Sequence, residues 1–286
     1  TQGFPAIIVK KIQKIPLYFW VLDLWPESLI SAGGLSNKHV LRLFTYMVKY
    51  VYNNSDRILI SSRSFKESII AKGNYENKLI YFPNWAEETI SNGQINYPIP
   101  NLPKGFKIVF AGNIGVSQDM ESIMNAALIL KTQVHIHFVI IGAGRSKESI
   151  ENFIQEKELN NTVHLLGRFP IEAMKTFFNA ADALLITLKD ELVFNLTVPA
   201  KLQAYLCAKK PIIGMLNGEG AQIIKDSNCG FVINAGNYEG LAQTILDLSN
   251  LSANERNYMS EKGYAYYVEN FTKFQSSKML FNFIFS

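Results

Sequence analysis

The feature that most constrains the fold is a regular alternation of short apolar runs and amphipathic segments after Gly105. The apolar runs are short and bounded by turn residues, so they predict strands, and the segments between them predict helices. Such an alternation predicts a parallel sheet covered by helices on both faces. The predicted strands are, in order, FKIVFAG, HIHFVIIG, VHLLGRF, ALLITL, KPIIGML and GFVINA.

A segment rich in proline, Asn96–Gly105 (NYPIPNLPKG), precedes this region and is predicted to be a linker between domains. Before it, strands are predicted within Pro16–Trp25, Asp56–Ser62 and Lys78–Trp85. A doubly wound domain usually has about five or six strands. We therefore expect the chain to begin partway into its first domain.

The expected fold class is α/β, with two Rossmann-like domains built on parallel sheets, the N-terminal one incomplete. Residues 1–98 are assigned to the first domain and residues 99–265 to the second, with residues 266–286 forming a last helix that returns to the first domain. A helix is expected near Asn37–Tyr52. Ser64 and Thr272 are expected to cap the helices that follow them, and Gly73 is expected to end the helix after Ser64.

The basic charge is concentrated in the first domain. Residues 1–98 hold 11 Lys and Arg against 7 Asp and Glu, whereas the rest of the chain holds 17 of each. The segments VKKIQK and KHVLRLFTYMVKYVY mix these cations with apolar and aromatic residues, which suits an anionic membrane surface or a phosphorylated substrate. An ordinary solvated helix face explains the same pattern. Nucleic-acid binding is not expected, because the excess is small and no nucleic-acid motif accompanies it.

Two glycines form the most suggestive local motif, AGNIGVSQDMES. Gly112 and Gly115 allow a sharp turn and a close approach to a ligand, and Ser117 is expected to cap the following helix. Unpaired amides at a helix start, with their partial positive charge, suit a phosphate. A plain tight turn is the alternative.

The order of the remaining motifs resembles glycosyltransferase family 4, which comprises retaining, nucleotide-sugar-dependent enzymes of the GT-B fold. The motifs that carry the resemblance are FAGNIG, GRFP, AADALLI, VPAKLQAYLCAKKPII, GEGAQII and CGFVINAGNYEGLA, with LDLWPESL and NKLIYFPNWAEE in the first domain. The similarity is greatest to bacterial enzymes of O-antigen and capsule synthesis.

This resemblance implies a site for the donor nucleotide on the second domain, facing the first. The glycine turn and the backbone before Lys201 would meet the diphosphate, with Lys201 as its counter-charge. Arg168 and Phe169 fall where the family contacts the base. A surface lysine and a strand-end turn are the respective alternatives. The residues expected to bind the nucleotide sugar are Gly112, Asn113, Gly115, Gln118, Arg168, Phe169, Thr197, Val198, Lys201 and Gln203.

The sequence departs from the common family pattern at several of these places. Asn113 and Gln118 stand where many members have phosphate-binding Arg and Lys residues. Ala204 stands where many members have the glutamate that binds the ribose, so Gln203 or Glu191 is a candidate substitute. Leu22 replaces a histidine that often precedes the aspartate corresponding to Asp23.

The chemistry is expected from the resemblance rather than from a visible catalytic constellation. It implies displacement on the front face of the sugar, without a cofactor or a metal ion, from a donor expected to be UDP-linked. Asp23 is the candidate catalytic carboxylate, and capping of the loop before Pro26 and Ser28 is its alternative. The histidines are scattered, and His135 and His137 alternate on a predicted strand, which indicates packed or edge residues.

The expected function is transfer of a sugar to a polyprenyl-linked saccharide in lipopolysaccharide or capsule synthesis, by a cytoplasmic protein that touches the inner face of the membrane. The two cysteines, Cys207 and Cys229, suit a reducing compartment. Two alternatives remain open. One is a nucleotide-sugar epimerase of the same fold, and the other is a nucleotide-binding fragment without activity of its own.

Overall fold

The computed structural model describes residues 2–31, 37–87, 90 and 97–285. The described strands form two parallel sheets. The first sheet has the order β1-β2-β3, and we call the described residues up to 90 the first lobe. Its strands are β1 (Tyr18–Val21), β2 (Arg57–Ile60) and β3 (Leu79–Tyr81). The sequence prediction of three strands before the linker is confirmed for this part of the chain.

The helix of the first lobe that starts at Lys38 is capped by the side chain before it. Oδ1 of Asn37 accepts hydrogen bonds from the amides of His39 (2.9 Å) and Val40 (3.4 Å), so Asn37 caps the helix that was predicted near Asn37–Tyr52. The helices are α1 (Gly3–Gln13), α2 (Glu27–Ser31), α3 (Lys38–Asn54) and α4 (Phe65–Ile70).

The expected cap at Ser64 is wrong. The Ser64 side chain makes no capping bond to α4 and instead donates to the carboxylate of Glu219, a stronger, charged acceptor. The helix also ends at Ile70, earlier than expected, and the Gly73 amide donates to the Ile70 carbonyl oxygen at 3.0 Å.

The second sheet has the order β6-β5-β4-β7-β8-β9, and all its strands are parallel. We call this sheet and the helices packed on it the second lobe. This is the doubly wound arrangement in which the chain starts in the middle of the sheet and reverses direction once. All six strands predicted after the linker are confirmed. They are β4 (Phe106–Ala111), β5 (Ile136–Ile141), β6 (Val163–Gly167), β7 (Ala183–Thr187), β8 (Ile212–Met215) and β9 (Gly230–Ile233).

Both faces of this sheet are buried, which is why its strands are mainly apolar rather than alternating. On β4, Ile108 and Phe110 pack into one cluster, and Val109 and Ala111 pack into the cluster on the opposite face. The helices that cover the two faces are α5 (Met120–Ile129), α6 (Lys147–Glu156), α7 (Ile171–Ala180), α8 (Leu192–Leu196), α9 (Ala200–Cys207), α10 (Gly218–Ser227), α11 (Tyr238–Asn250) and α12 (Ala253–Asn270).

The chain leaves the second lobe later than expected. The boundary predicted after residue 265 falls inside α12, and Phe271 is still 1% exposed in the core of the second lobe. Thr272 then accepts the Gln275 amide at 3.3 Å, which confirms it as a cap, and α13 (Lys273–Phe285) follows. The Tyr18 hydroxyl donates to the Phe283 carbonyl oxygen at 3.2 Å, so α13 contacts the first lobe.

The segment between the lobes is irregular from residue 97 to residue 105, while Asn96 of the predicted linker lies outside the described residues. His137 fixes its end, because one ring nitrogen lies 2.9 Å from the Lys104 carbonyl oxygen and the other 3.1 Å from that of Asn161. It is 8% exposed, as expected for a packed histidine. Within the described chain, no helix combines the length and the apolar composition needed to cross a bilayer.

Candidate functional site

A cleft of about 580 Å³ lies between the lobes, beside the carboxyl ends of β4 and β5. In open α/β sheets this edge, next to the point where the strand order reverses, is the usual ligand site. The second lobe lines the cleft mainly with the turns after β4 and β5, with Arg168 and Phe169, and with the first turns of α9. The first lobe supplies the segment Asn84–Glu87 on the opposite side.

Two glycine turns form the floor of the cleft. Gly112 has φ +151° and Gly142 has φ +153°, and a Cβ on Gly142 would lie 1.8 Å from the carbonyl oxygen of Gly112. Glycine is therefore required for the backbones to meet. The Gly112 amide itself donates to the Ile141 carbonyl oxygen at 2.9 Å. The Gly112 amide is therefore not free to bind a ligand.

The glycine turn does not lead directly into a capped helix, as the sequence suggested. Ser117 lies within a short 3-10 turn, Val116–Gln118, and α5 starts only at Met120, after Asp119 in a left-handed conformation. Asn113 lines the cleft, whereas Gly115 lines a different cavity of about 320 Å³ together with Asp119 and Lys189. The expected cap at Ser117 is wrong, because the 3-10 turn takes its place.

Lys201 is the central cation of the cleft. It lies in the first turn of α9, and its Nζ is 3.9 Å from the centroid of the Phe110 ring. A Cβ on Gly112 would lie 2.8 Å from this nitrogen, so the glycine provides the space that the lysine end occupies. Burial lowers the pKa of Lys201 to about 7. Among the described residues it has no salt-bridge partner.

Gln118 holds Lys201 in place rather than lining the cleft. Its Oε1 accepts a hydrogen bond from Lys201 Nζ at 2.7 Å, and its carbonyl oxygen accepts one from the Thr187 hydroxyl. A neutral amide is a weaker partner for an ammonium group than a carboxylate would be. A half-buried cation held by an amide and an aromatic ring is suited to receiving an anion.

Arg168 and Phe169 line the cleft at the end of β6, as expected. The Phe169 ring packs edge-on against Phe177 with centroids 4.9 Å apart, while Arg168 is exposed. Gly167, at φ +80°, makes the turn between the strand and these two residues.

Three other expected donor contacts lie outside the cleft lining. The Thr197 amide and hydroxyl donate to the carbonyl oxygens of Phe194 (3.2 Å) and Val193 (2.7 Å), and Val198 is buried at 9% exposure. Gln203 is 2% exposed, with its amide nitrogen oriented to donate to the carbonyl oxygens of Pro199 (3.2 Å) and Ala200 (3.1 Å).

The start of α9, rather than Thr197 and Val198, lines the cleft. Ala200 and Lys201 are its first two residues and both line the cleft. Amides at the first positions of a helix have no partner within the helix. Pro199 immediately before them is the sequence signal for this start, since proline is favoured at helix beginnings.

Asp23 lies away from the cleft. It is exposed and lines a separate cavity of about 260 Å³ in the first lobe, with Phe19, Trp25 and Phe44 among its neighbours. The capping alternative is not observed either, because the amide and the hydroxyl of Ser28 both donate to the Leu24 carbonyl oxygen. The sequence expectation that placed Asp23 near the cleft is therefore not met.

The segment Asn84–Glu87 of the first lobe lines the cleft, although the sequence analysis did not name its residues as candidates. Trp85 stacks on Trp20 with ring centroids 5.6 Å apart, and the Trp20 indole donates to the Phe82 carbonyl oxygen at 3.1 Å. Glu87, on the same segment, is the one carboxylate among the described lining residues. The motif PNW, directly after a strand, was the available signal.

The chain matches the family described as "Glycosyl transferases group 1" over residues 98–266. It is 29% identical to the probable glycosyltransferase WbjE of Pseudomonas aeruginosa over 265 residues, covering 87% of this chain and 65% of that protein. It is 30% identical to the putative colanic acid biosynthesis glycosyl transferase WcaI of Escherichia coli K12 over 162 residues, covering 54% of this chain and 37% of that one. The chain thus spans less than two thirds of either relative.

The fold is similar to that of the Anabaena protein Alr3699/HepE, whose crystal structure was solved in complex with UDP and glucose. The TM-score is 0.74 at 14% identity, over 99% of this chain and 75% of that one. At this low sequence identity, the similarity shows a shared fold and nothing about function. The expected class, α/β with parallel sheets in a GT-B arrangement, is confirmed.

Proposed function

The chain belongs to the glycosyl transferases group 1 family, and from this premise we propose that it transfers a sugar from a nucleotide diphosphate sugar to a lipid-linked saccharide in bacterial surface polysaccharide synthesis. O-antigen and capsule chains are the two classes of product. The observation that carries the proposal is Lys201, a cation without an acidic partner among the described residues, at the floor of the cleft between the lobes.

The proposed donor is UDP-linked, with its diphosphate against Lys201 and the start of α9. A leaving diphosphate gains negative charge as the glycosidic bond breaks, so a fixed cation and helix amides stabilise the transition state more than the ground state. Arg168 and Phe169 contact the base at the other end of the cleft. Gln118 keeps Lys201 aimed at the phosphates, and Asn113 contacts them from the glycine turn.

The proposed reaction retains the configuration of the sugar. The bond between C1 and the diphosphate oxygen breaks, and the acceptor oxygen bonds to C1 on the same face. The acceptor proton passes to an oxygen of the leaving phosphate, so the step requires no protein base. The proposal assigns the phosphate charge to Lys201 rather than to a metal ion, and EDTA is therefore expected to leave transfer unchanged.

The first lobe of the proposed enzyme contacts the anionic inner face of the membrane, where a polyprenyl-linked acceptor resides. Two features of α1 and α3 support this contact. Ile8 (59%), Ile12 (75%) and Tyr46 (65%) are exposed to solvent. Lys11 and Lys14 are exposed beside them. Apolar side chains next to lysines favour binding in the interface of an anionic bilayer.

Sedimentation with vesicles tests the membrane contact. We expect binding to vesicles of phosphatidylglycerol but not of phosphatidylcholine, with loss of binding in the Lys11→Glu/Lys14→Glu variant. Lys225→Glu, a change at an exposed lysine of the second lobe, serves as the control. Equal sedimentation of wild type and double variant would remove the membrane contact from the proposal.

Calorimetry with UDP and GDP, followed by an assay of sugar transfer to a polyprenyl-linked acceptor, tests the function. Binding of UDP together with transfer supports the proposal. Absence of heat with both nucleotides refutes it. Nucleotide binding without transfer identifies a non-catalytic nucleotide-binding protein instead, and conversion of the donor to its epimer without acceptor identifies an epimerase.

A further inference from the structure

The two lobes are joined at a second place besides the cleft. The turn Ser62–Ser64, which follows β2 in the first lobe, contacts two segments of the second lobe. The Glu219 carboxylate, on α10, accepts the amides of Arg63 (3.3 Å) and Ser64 (3.2 Å) and also the Ser64 hydroxyl. The Ser62 hydroxyl donates to the carbonyl oxygen of Leu196.

This carboxylate lies between the beginnings of two helices. Glu219 is in the first turn of α10, and the amides that it accepts directly precede α4. Helix beginnings carry a partial positive charge, which favours a carboxylate there. Hydrogen bonds to an ionised acceptor are also stronger than neutral ones. The Glu219 carboxylate bonds to backbone amides of the first lobe, which cannot rotate away as a side chain can. Such a contact fixes the orientation of the two lobes more firmly than a contact between two flexible side chains.

The start of α10 is packed tightly against the segment that leads to Lys201. A Cβ on Gly218, at φ +70°, would lie 1.9 Å from the carbonyl oxygen of Asn195, and one on Gly220 would lie 2.9 Å from Cδ of Pro199. Both contacts require glycine. The Leu196 carbonyl oxygen that accepts the Ser62 hydroxyl belongs to the same segment. The first lobe therefore forms hydrogen bonds both to the start of α10 and to the backbone that leads into α9.

We propose that Glu219 is a positioning residue that holds the lobes in the arrangement that forms the cleft and, through residues 195–199, keeps Lys201 in its place. The contact does not depend on what the cleft binds. Its effect on nucleotide affinity rests on the proposed function.

Distance measurement between the lobes by electron spin resonance tests the proposal. The spin labels go on Lys11→Cys in the first lobe and Asn254→Cys in the second, both exposed positions. The natural cysteines, Cys207 and Cys229, are buried, so labelling at the introduced sites dominates. The variants compared are Glu219→Ala, Glu219→Gln and, as a matched control, Glu239→Ala, which removes the exposed first-turn acid of α11.

We expect one narrow distance distribution in the wild type and in Glu239→Ala, and a broad or displaced one in Glu219→Ala. Glu219→Gln should fall between them, since its single carbonyl oxygen can still accept the Ser64 donors. A distribution in folded Glu219→Ala that equals that of the wild type overturns the proposal. Should Glu219→Ala not fold, Glu219→Asp decides by the same criterion, because its carboxylate is withdrawn by one methylene from the Arg63 and Ser64 amides.

Nucleotide affinity provides a second readout. With the lobes released, the dissociation constant for UDP is expected to rise about tenfold in Glu219→Ala and to stay unchanged in Glu239→Ala, a change of about 1.4 kcal/mol. A broadened distance distribution with unchanged UDP affinity overturns the coupling to Lys201. If the wild type itself binds no nucleotide, the proposed function fails. The distance measurement then still shows whether Glu219 holds the two lobes together.

Discussion

Nζ of Lys201 donates a hydrogen bond of 2.7 Å to Oε1 of Gln118, a residue 83 positions earlier in the chain. The sequence resemblance suggested each of the two residues as a separate contact of the nucleotide sugar. In the structure they form a pair, in which a neutral amide orients the cation and leaves its charge uncompensated. This arrangement favours an incoming anion, because a carboxylate in place of Gln118 would already have satisfied the charge.

Replacement of Lys201 tests whether its charge binds the diphosphate. Lys201→Met is expected to weaken UDP binding by about 1.5–3 kcal/mol, roughly ten- to a hundredfold, the usual contribution of a hydrogen bond to a charged group. Calorimetric titration measures it. The control is Lys225→Met, which removes an exposed lysine of the same lobe. Equal UDP affinities for the two variants would contradict the assignment.

The pH dependence of binding reports the same charge. Free Lys201 has a pKa of about 7, and a bound diphosphate raises this pKa, since an anion favours the ammonium form. The contribution of Lys201 to UDP binding is therefore greatest below pH 7, where the free side chain is already protonated. The affinity for UDP falls as the pH rises above 7. UDP ionises as well, so the comparison is with Lys201→Arg, whose guanidinium stays charged.

At pH 8, calorimetry in two buffers of different ionisation enthalpy should show proton uptake on UDP binding by the wild type. Lys201→Arg should show less, because it has no proton to gain at this position. Identical proton uptake by both proteins would assign the effect to UDP itself and exclude Lys201 as its source.

Gly112→Ala tests the close approach of the glycine turn to Lys201. The added Cβ would lie 2.8 Å from Nζ, so the ammonium group has to move away from the cleft floor and UDP binding should weaken. The positive φ also costs stability, about 1–3 kcal/mol for a strained backbone, which thermal denaturation measures. Gly236→Ala is the matched control, because Gly236 has φ +79° with no atom within 4 Å of the added Cβ. A loss of UDP affinity as large in Gly236→Ala as in Gly112→Ala would show that strain alone is responsible.

The His164–His137 pair predicts a loss of stability in mild acid. Burial, followed by the charge of His137, lowers the pKa of His164 below its usual 6.5. The unfolded chain therefore binds more protons than the folded one as the pH falls through 6.5, and the free energy of unfolding decreases there. Urea denaturation at pH 8 and pH 5.5 measures the difference. His164→Asn should lose less stability than the wild type, whereas His135→Asn, at an exposed position, should behave as the wild type does. Parallel losses in all three proteins would rule out His164 as the source.

The strands and the fold class were predictable because their signals are local. All six strands after the linker are short, mainly apolar runs bounded by turn residues, and the two faces of β4 are both buried, as the alternation of strands and helices predicted. The cap at Thr272 was likewise readable from a hydroxyl residue before a helical pattern. Caps failed at Ser64 and Ser117, where a distant carboxylate and a 3-10 turn, respectively, took over.

The site was predictable only in part. Gly112, Asn113, Arg168, Phe169 and Lys201 line one cleft, as the family pattern suggested. Asp23 and Gln203 do not, because strand ends and helix faces that look equivalent in sequence point in different directions once packed. A pattern of residues along the chain contains the period of a helix or strand, but not the angle at which two elements meet.

The amino-acid sequence was therefore sufficient for the alternation of strands and helices, for the doubly wound second lobe and for the presence of Lys201 in the cleft. Tertiary packing alone decided that Gln118 holds this lysine, that Asn84–Glu87 closes the cleft and that Glu219 joins the lobes. The physical reason is the distance along the chain over which each effect acts. Backbone preference and hydrophobic periodicity depend on a few neighbouring residues. Charged and hydrogen-bonded partners are often far apart in sequence and meet only when the chain folds.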